Sequence, residues 1–182
     1  IYTLSLHDAL PISSWLHAIV EESIVDGPGL RFVVFTQGCP HNCPGCHNPQ
    51  THDPDGGYEI SSEELIAKFE RLSAQNPLLD GVTLSGGEPL LHARELLPFA
   101  KAVRGMGFDI WLYSGYTLEE IVLRGNEDEM ALLENVATLV DGRFERKRKT
   151  LDLPFVGSSN QRIIDAPAER AKDVRGEGDH DD

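Results

Sequence analysis

A chain of 182 residues, 40% of them hydrophobic, is long enough to bury a core of its own, and apolar runs such as Phe32–Phe35 are far too short to cross a bilayer. Its 30 acidic residues against 16 lysines and arginines give a formal net charge of −14, which argues against a general nucleic-acid binder while leaving room for an acidic docking face toward a protein. All three cysteines fall in one short motif, so none is left for a structural disulfide, a usage that points to the cytoplasm and to metal chemistry.

The opening run Thr3–Ile12 has neither the positive start nor the apolar centre of a signal peptide. It resembles one reading frame of a sequencing-library adapter, and residues 1–14 are expected to be a non-native segment outside the fold. Leu30–Thr36, rich in β-branched and aromatic residues, predicts a buried strand running into the cysteine loop. Ser61-Ser62-Glu63-Glu64 predicts a helix start, with Ser61 as N-cap, Glu64 at the capping-box position and Leu65, Ile66, Phe69 and Leu72 on one apolar face. Gly81–Ser85 predicts a short strand ended by Gly86-Gly87, His92–Arg104 a helix, and Phe108–Tyr113 another strand. Thr117–Glu120 opens a further helix, Glu127–Asn135 reads as one more, Ala137–Val140 as a strand, and Arg162–Ile164 as a short last strand. Residues 166–182, small, charged and almost without apolar side chains, read as a disordered acidic tail.

Strands separated by helices at this spacing imply parallel pairing through right-handed crossovers. Four or five such units are too few for a closed eight-stranded barrel. The expected fold class is therefore α/β, a partial (β/α) barrel or open parallel sheet over residues 15–165. Ligands of such sheets gather beyond the carboxyl ends of the strands. The cysteine loop, Gly86-Gly87-Glu88 and Ser114-Gly115-Tyr116 each follow a predicted strand directly and are expected to meet there.

Cys39, Cys43 and Cys46 place three thiolates within eight residues. Three thiolates this close can hold three irons of a cubane cluster and leave the fourth without a protein ligand, open to bind and cleave something. The competing reading is a structural zinc site with His41 or His47 as fourth ligand, although such sites usually assemble from two separated ligand pairs. Gly86-Gly87 alone reads as an ordinary strand-to-helix turn; the combination with the cysteines is the specific signal.

The spacing Cys39-x3-Cys43-x2-Cys46 after Gln37-Gly38, together with Leu84-Ser85-Gly86-Gly87-Glu88-Pro89-Leu90, resembles the radical S-adenosylmethionine (SAM) superfamily. The resemblance implies a [4Fe–4S] cluster on Cys39, Cys43 and Cys46 whose open iron is chelated by the amino and carboxylate groups of SAM. One electron then cleaves the sulfonium to give a 5′-deoxyadenosyl radical. It also implies that Gly45, Cys46 and His47 contact SAM, with His47 near the adenine. Gly86 and Gly87 would admit its methionine end closely, and Glu88 or neighbouring carbonyls would accept from the cationic amino group.

A narrower resemblance covers residues 17–165. Asp26-Gly27-Pro28-Gly29-Leu30-Arg31 is similar to the opening signature of glycyl-radical-enzyme activases. Cys43-Pro44-Gly45-Cys46, Ile110–Tyr116, Leu139–Phe144 and Gly157–Asp165 are similar to the group serving anaerobic ribonucleotide reductase. The implied partners are the large reductase subunit, losing a hydrogen atom from a backbone glycine, and a flavodoxin or ferredoxin-type electron donor, with no nucleic acid or membrane. The longer pyruvate formate-lyase type of activase is the runner-up, and a zinc-stabilised adaptor the non-enzyme alternative. Asp26–Gly29 is strong turn chemistry and a candidate substrate-docking segment. Arg143–Lys149 is a basic cluster that reads as a solvated loop or a contact for the reductase or the donor.

Overall fold

The computed structural model describes residues 12–176. Strands β1 (Ser13–Ser23), β2 (Leu30–Thr36), β3 (Tyr58–Ser61), β4 (Leu79–Gly86), β5 (Asp109–Tyr113), β6 (Thr138–Asp141) and β7 (Arg162–Asp165) form one sheet in the order β3-β1-β2-β4-β5-β6-β7. The central strands β2, β4, β5 and β6 pair parallel, as their spacing predicted. Helices α1 (Ser62–Gln75), α2 (Ala93–Gly105), α3 (Leu118–Arg124) and α4 (Glu127–Leu133) lie between the parallel strands in the chain, and α5 (Pro167–Arg175) follows β7.

The helix starts follow from local chemistry. Ser61 accepts from the Glu64 N–H at 3.1 Å, and Thr117 and Glu120 complete a capping box at the start of α3. Pleating then sorts the parallel strands into two faces. Phe32, Val34, Val82, Leu84, Ile110, Leu112 and Leu139 join the core shared with the helices. Its centre is an aromatic knot in which the Phe69 ring of α1 lies 5.5 Å from Phe32, 6.1 Å from Phe99 and 5.1 Å from Phe108. The alternate residues Arg31, Val33, Thr83, Trp111, Tyr113 and Val140 belong to the opposite, concave face.

The edges depart from expectation. β1 pairs antiparallel with both β2 and β3, and β7 antiparallel with β6. The link Ile24–Gly29 between β1 and β2 is far shorter than the dozen or more residues that a parallel crossover requires. β1 escaped a sequence reading because register shifts between Leu16 and Ala18 and between Val20 and Ser23 break its inside–outside alternation. Residues 13 and 14, set aside with the non-native segment, are in β1, and Ser14 is buried; residues 1–11 lie outside the described residues. The tail read as disordered from residue 166 contains α5, opened by Pro167, closed by Gly176 and anchored by the fully buried Ala171. Low mean hydropathy hid it, since one alanine is its chief apolar anchor; residues 177–182 lie outside the described residues.

Phe69→Ala is expected to lower stability by about 3–5 kcal/mol through the cavity left between β2, α1 and α2, read as a reduced urea midpoint at unchanged slope.

Candidate functional site

The chain leaves β2 at Thr36 and enters the cysteine loop through a buried Gln37, whose amide donates to the carbonyls of Gln50 at 3.1 Å and Asp53 at 2.7 Å. Gly38 N–H donates to Thr51 O at 2.7 Å, so the loop is closed at its base before the cysteines begin. Cys46 N–H returns to Cys43 O at 3.1 Å, and Asn48 N–H donates to Cys46 Sγ at 3.4 Å. All three cysteines are free, partly buried, and line one cavity of about 690 Å³ that Gly86 and Gly87 also line. Burial pushes the Cys39 and Cys43 thiols above their ordinary value, with the backbone N–H groups of His41 and Phe144 respectively acting the other way. Deprotonation of these thiols therefore belongs with metal binding, which releases the protons.

The donor set fits a cluster. Three thiols spread around one cavity suit a cubane that takes one thiolate per iron. The His52 Nε2 atom is buried without a hydrogen-bond partner, and His52 lines the same cavity.

The floor is built by close backbone approach. Gly87 N–H donates to Thr36 O and Glu88 N–H to Gly38 O, both at 2.9 Å, which ties the end of β4 to the start of the cysteine loop. Gly86 has φ +106°, and a Cβ there would run into the Thr36 backbone. A Cβ on Gly87 would strike the Gly38 carbonyl.

Glu88 lies beneath this floor with no exposed surface. Its Oε1 accepts from His41 Nε2 at 2.7 Å, Ser114 Oγ at 2.8 Å and Gly115 N–H at 2.9 Å; its Oε2 accepts from Leu90 N–H at 3.1 Å. Arg143 Nε donates to His41 Nδ1 at 3.2 Å, which assigns the imidazole proton to Nε2 and makes His41 a donor to the carboxylate. The Glu88 oxygens are engaged by these donors and the side chain is absent from the cavity lining, which leaves the neighbouring backbone carbonyls, the other acceptors that the resemblance allowed. Ser114, also buried, and Tyr116, whose ring meets His41 edge-on at 4.4 Å, are likewise supports of the site. His47 does line the cavity and packs on Phe144 at 5.1 Å. Gly45 is absent from the cavity lining and lies against Arg146, whose Nε is 2.9 Å from where a Cβ would be.

The lower end of the concave face is closed by Arg31, 1% exposed. Its guanidinium donates to Thr83 Oγ1 at 2.8 Å, Val82 O at 2.8 Å, Pro28 O at 3.1 Å and Asp109 Oδ1 at 2.6 Å. Thr83 Oγ1 in turn donates to Asp26 O at 2.7 Å, so the Asp26–Gly29 turn is fastened inside the sheet and Asp26 lines the cavity. Tyr113 stands beside it, its phenol pushed well above the usual range by burial and then by Asp26, and so kept as a neutral donor. Sequence reasoning missed Tyr113, His52 and the wall formed by Leu151, Leu153 and Phe155. Tyr113 falls inside the Ile110–Tyr116 stretch without being singled out, His52 and the wall carry no motif, and the wall comes from the irregular link between β6 and β7.

Glu88→Gln keeps the shape but turns an amide N–H₂ toward existing donors. It is expected to cost about 2–4 kcal/mol in urea unfolding, whereas unchanged stability would show the network to be dispensable.

The chain matches the family described as "4Fe-4S single cluster domain" over residues 25–164. It is 34% identical over 149 residues to the anaerobic ribonucleoside-triphosphate reductase-activating protein of Escherichia coli K12, covering 80% of this chain and 94% of that one. The protein of the same name from Vibrio cholerae is 33% identical over 155 residues, covering 81% and 95%. That of enterobacteria phage T4 is 34% identical over 144 residues, covering 76% and 86%. Among solved structures, QueE from Escherichia coli is similar over 58% of this chain and 53% of that one, with a TM-score of 0.46 and 22% identity. With relatives at this identity aligned along most of both chains, the chain belongs to the family of anaerobic ribonucleoside-triphosphate reductase-activating proteins.

Proposed function

We propose that Cys39, Cys43 and Cys46 hold a [4Fe–4S] cluster with which the chain cleaves SAM and places a glycyl radical on the large subunit of anaerobic ribonucleotide reductase, in the cytoplasm. The observation that carries this reading is that the three thiols and the Gly86-Gly87 floor line one cavity at the carboxyl ends of the parallel strands. When bound, the reduced cluster and SAM supply one electron and the carbon radical that takes a hydrogen atom from the glycine.

The chain's own residues bind, orient and keep the site dry. Gly86 and Gly87 bring backbone to the cavity for the cationic amino group, and the Glu88 charge beneath them adds a favourable field without contact. The His47 ring, braced by Phe144, offers a face for the adenine, and Gly45 and Cys46 carry the adjoining backbone. Val140, Tyr113 and Phe155 wall the cavity against water. At its mouth Val25 is 74% exposed and Leu151 90%, two apolar surfaces suited to a polypeptide substrate. A backbone glycine suits the reaction because it has no side chain to block approach. The electron donor is a flavodoxin or ferredoxin-type protein.

Electron paramagnetic resonance of anaerobically reconstituted, reduced protein tests the reading. A [4Fe–4S]⁺ signal that changes on adding SAM is expected, and Cys39→Ala, Cys43→Ala and Cys46→Ala should each lack SAM cleavage. With reductase present, an organic radical should appear on its large subunit and should not appear on pyruvate formate-lyase. Bound zinc with no cluster signal would overturn the proposal.

A further inference from the structure

Five of the chain's 16 lysines and arginines lie between positions 143 and 149: Arg143, Arg146, Lys147, Arg148 and Lys149. The rest of the chain is strongly acidic. All five are exposed. Arg143 is paired with Glu120, and Arg148 reaches Ser159 Oγ at 3.1 Å and Glu145 at 4.0 Å. Among the described residues Arg146, Lys147 and Lys149 enter no salt bridge. The turn is held in shape: Arg148 N–H donates to Glu145 O at 2.9 Å, Glu145 N–H to Ser158 Oγ at 3.1 Å, and Ser159 N–H to Arg148 O at 2.8 Å. A basic turn with three cations outside any salt bridge is a field suited to an acidic surface from outside the chain.

Its position says what. Arg146 lies against Gly45 in the middle of the thiolate loop, Phe144 packs on His47, and the Phe144 N–H points to the Cys43 thiol. Arg143 and Phe144 line the cavity, whereas Arg146–Lys149 and Gly45 do not. A partner seated on the outer part of the turn is therefore one loop away from the thiolates while the cavity and its apolar mouth stay free. A hydrogen-atom donor must enter the cavity; an electron donor needs only closeness to the cluster. From the geometry and the charge, we infer that Arg146–Lys149 is the docking surface of the electron donor, a small acidic redox protein. Such a partner meets net repulsion from a chain of charge −14 and its densest run of cations at this turn, so the charge pattern both selects it and orients it. The inference rests on the radical-SAM reading of the cavity.

The test uses full-length reconstituted protein and the double variant Lys147→Glu/Lys149→Glu, with cluster bleaching followed by stopped-flow absorbance. With reduced flavodoxin, an acidic one-electron donor, the variant is expected to be reduced at least about 10-fold more slowly at low salt, and the gap should close at high salt. Lys147→Gln/Lys149→Gln should fall between the two. Photoreduced deazaflavin, small and uncharged at its reacting ring, should reduce variant and parent equally. It should also give equal SAM cleavage and equal radical yield on the reductase. Equal rates with flavodoxin, or a parent protein that flavodoxin does not reduce, would overturn the inference. A variant that loses radical yield under deazaflavin would assign the turn to the reductase instead. A parent that cleaves no SAM under deazaflavin would sink the activase reading and this inference together.

Discussion

A carboxylate without exposed surface must direct its lone pairs at donors, because an unmet buried charge costs several kcal/mol. Glu88 meets that demand with groups from three segments: its own turn, the cysteine loop through His41, and the loop after β5 through Ser114 and Gly115. Each donor fixes the place of one wall of the cavity. Through His41 the constraint continues to Arg143 and then to Glu120 on α3. The thiolate loop is thus held from below before any cluster arrives, and the shape that receives SAM is a property of the polypeptide.

Arg31 does the corresponding task at the far end. A planar guanidinium can donate in several fixed directions at once, and here it joins β4, the Pro28 carbonyl and Asp109. A lysine at this position would bring a point charge with the wrong geometry for that set. Asp109 is partly exposed, so solvent relieves the pair at its outer end. Between these two buried ions the concave face carries Thr83, Ser85, Tyr113 and Val140, a sequence of polar and apolar groups that neither ion alone would position.

Much of this was legible in the residues. β2, β4, β5 and β6 announce themselves by β-branched and aromatic runs, and Ser61 and Thr117 mark helix starts by local hydrogen bonding that needs no tertiary context. The cysteines and Gly86-Gly87 identify the site because spacing alone brings them together at strand ends. The orientation of Glu88 was not legible, since a glutamate after two glycines can point up into a cavity or down into a network, and partners distant in sequence, His41 and the loop after β5, decide. β1 was hidden by its bulges, whose cost is met by pairing with strands on both sides. α5 was hidden because its one buried alanine is invisible to composition.

The sheet stops at β3 on one side and β7 on the other and does not close on itself. A sealed barrel admits a polymer only by an end, threaded through its mouth. A trough with a missing side admits a bend in the middle of a folded chain, laid in sideways and withdrawn the same way.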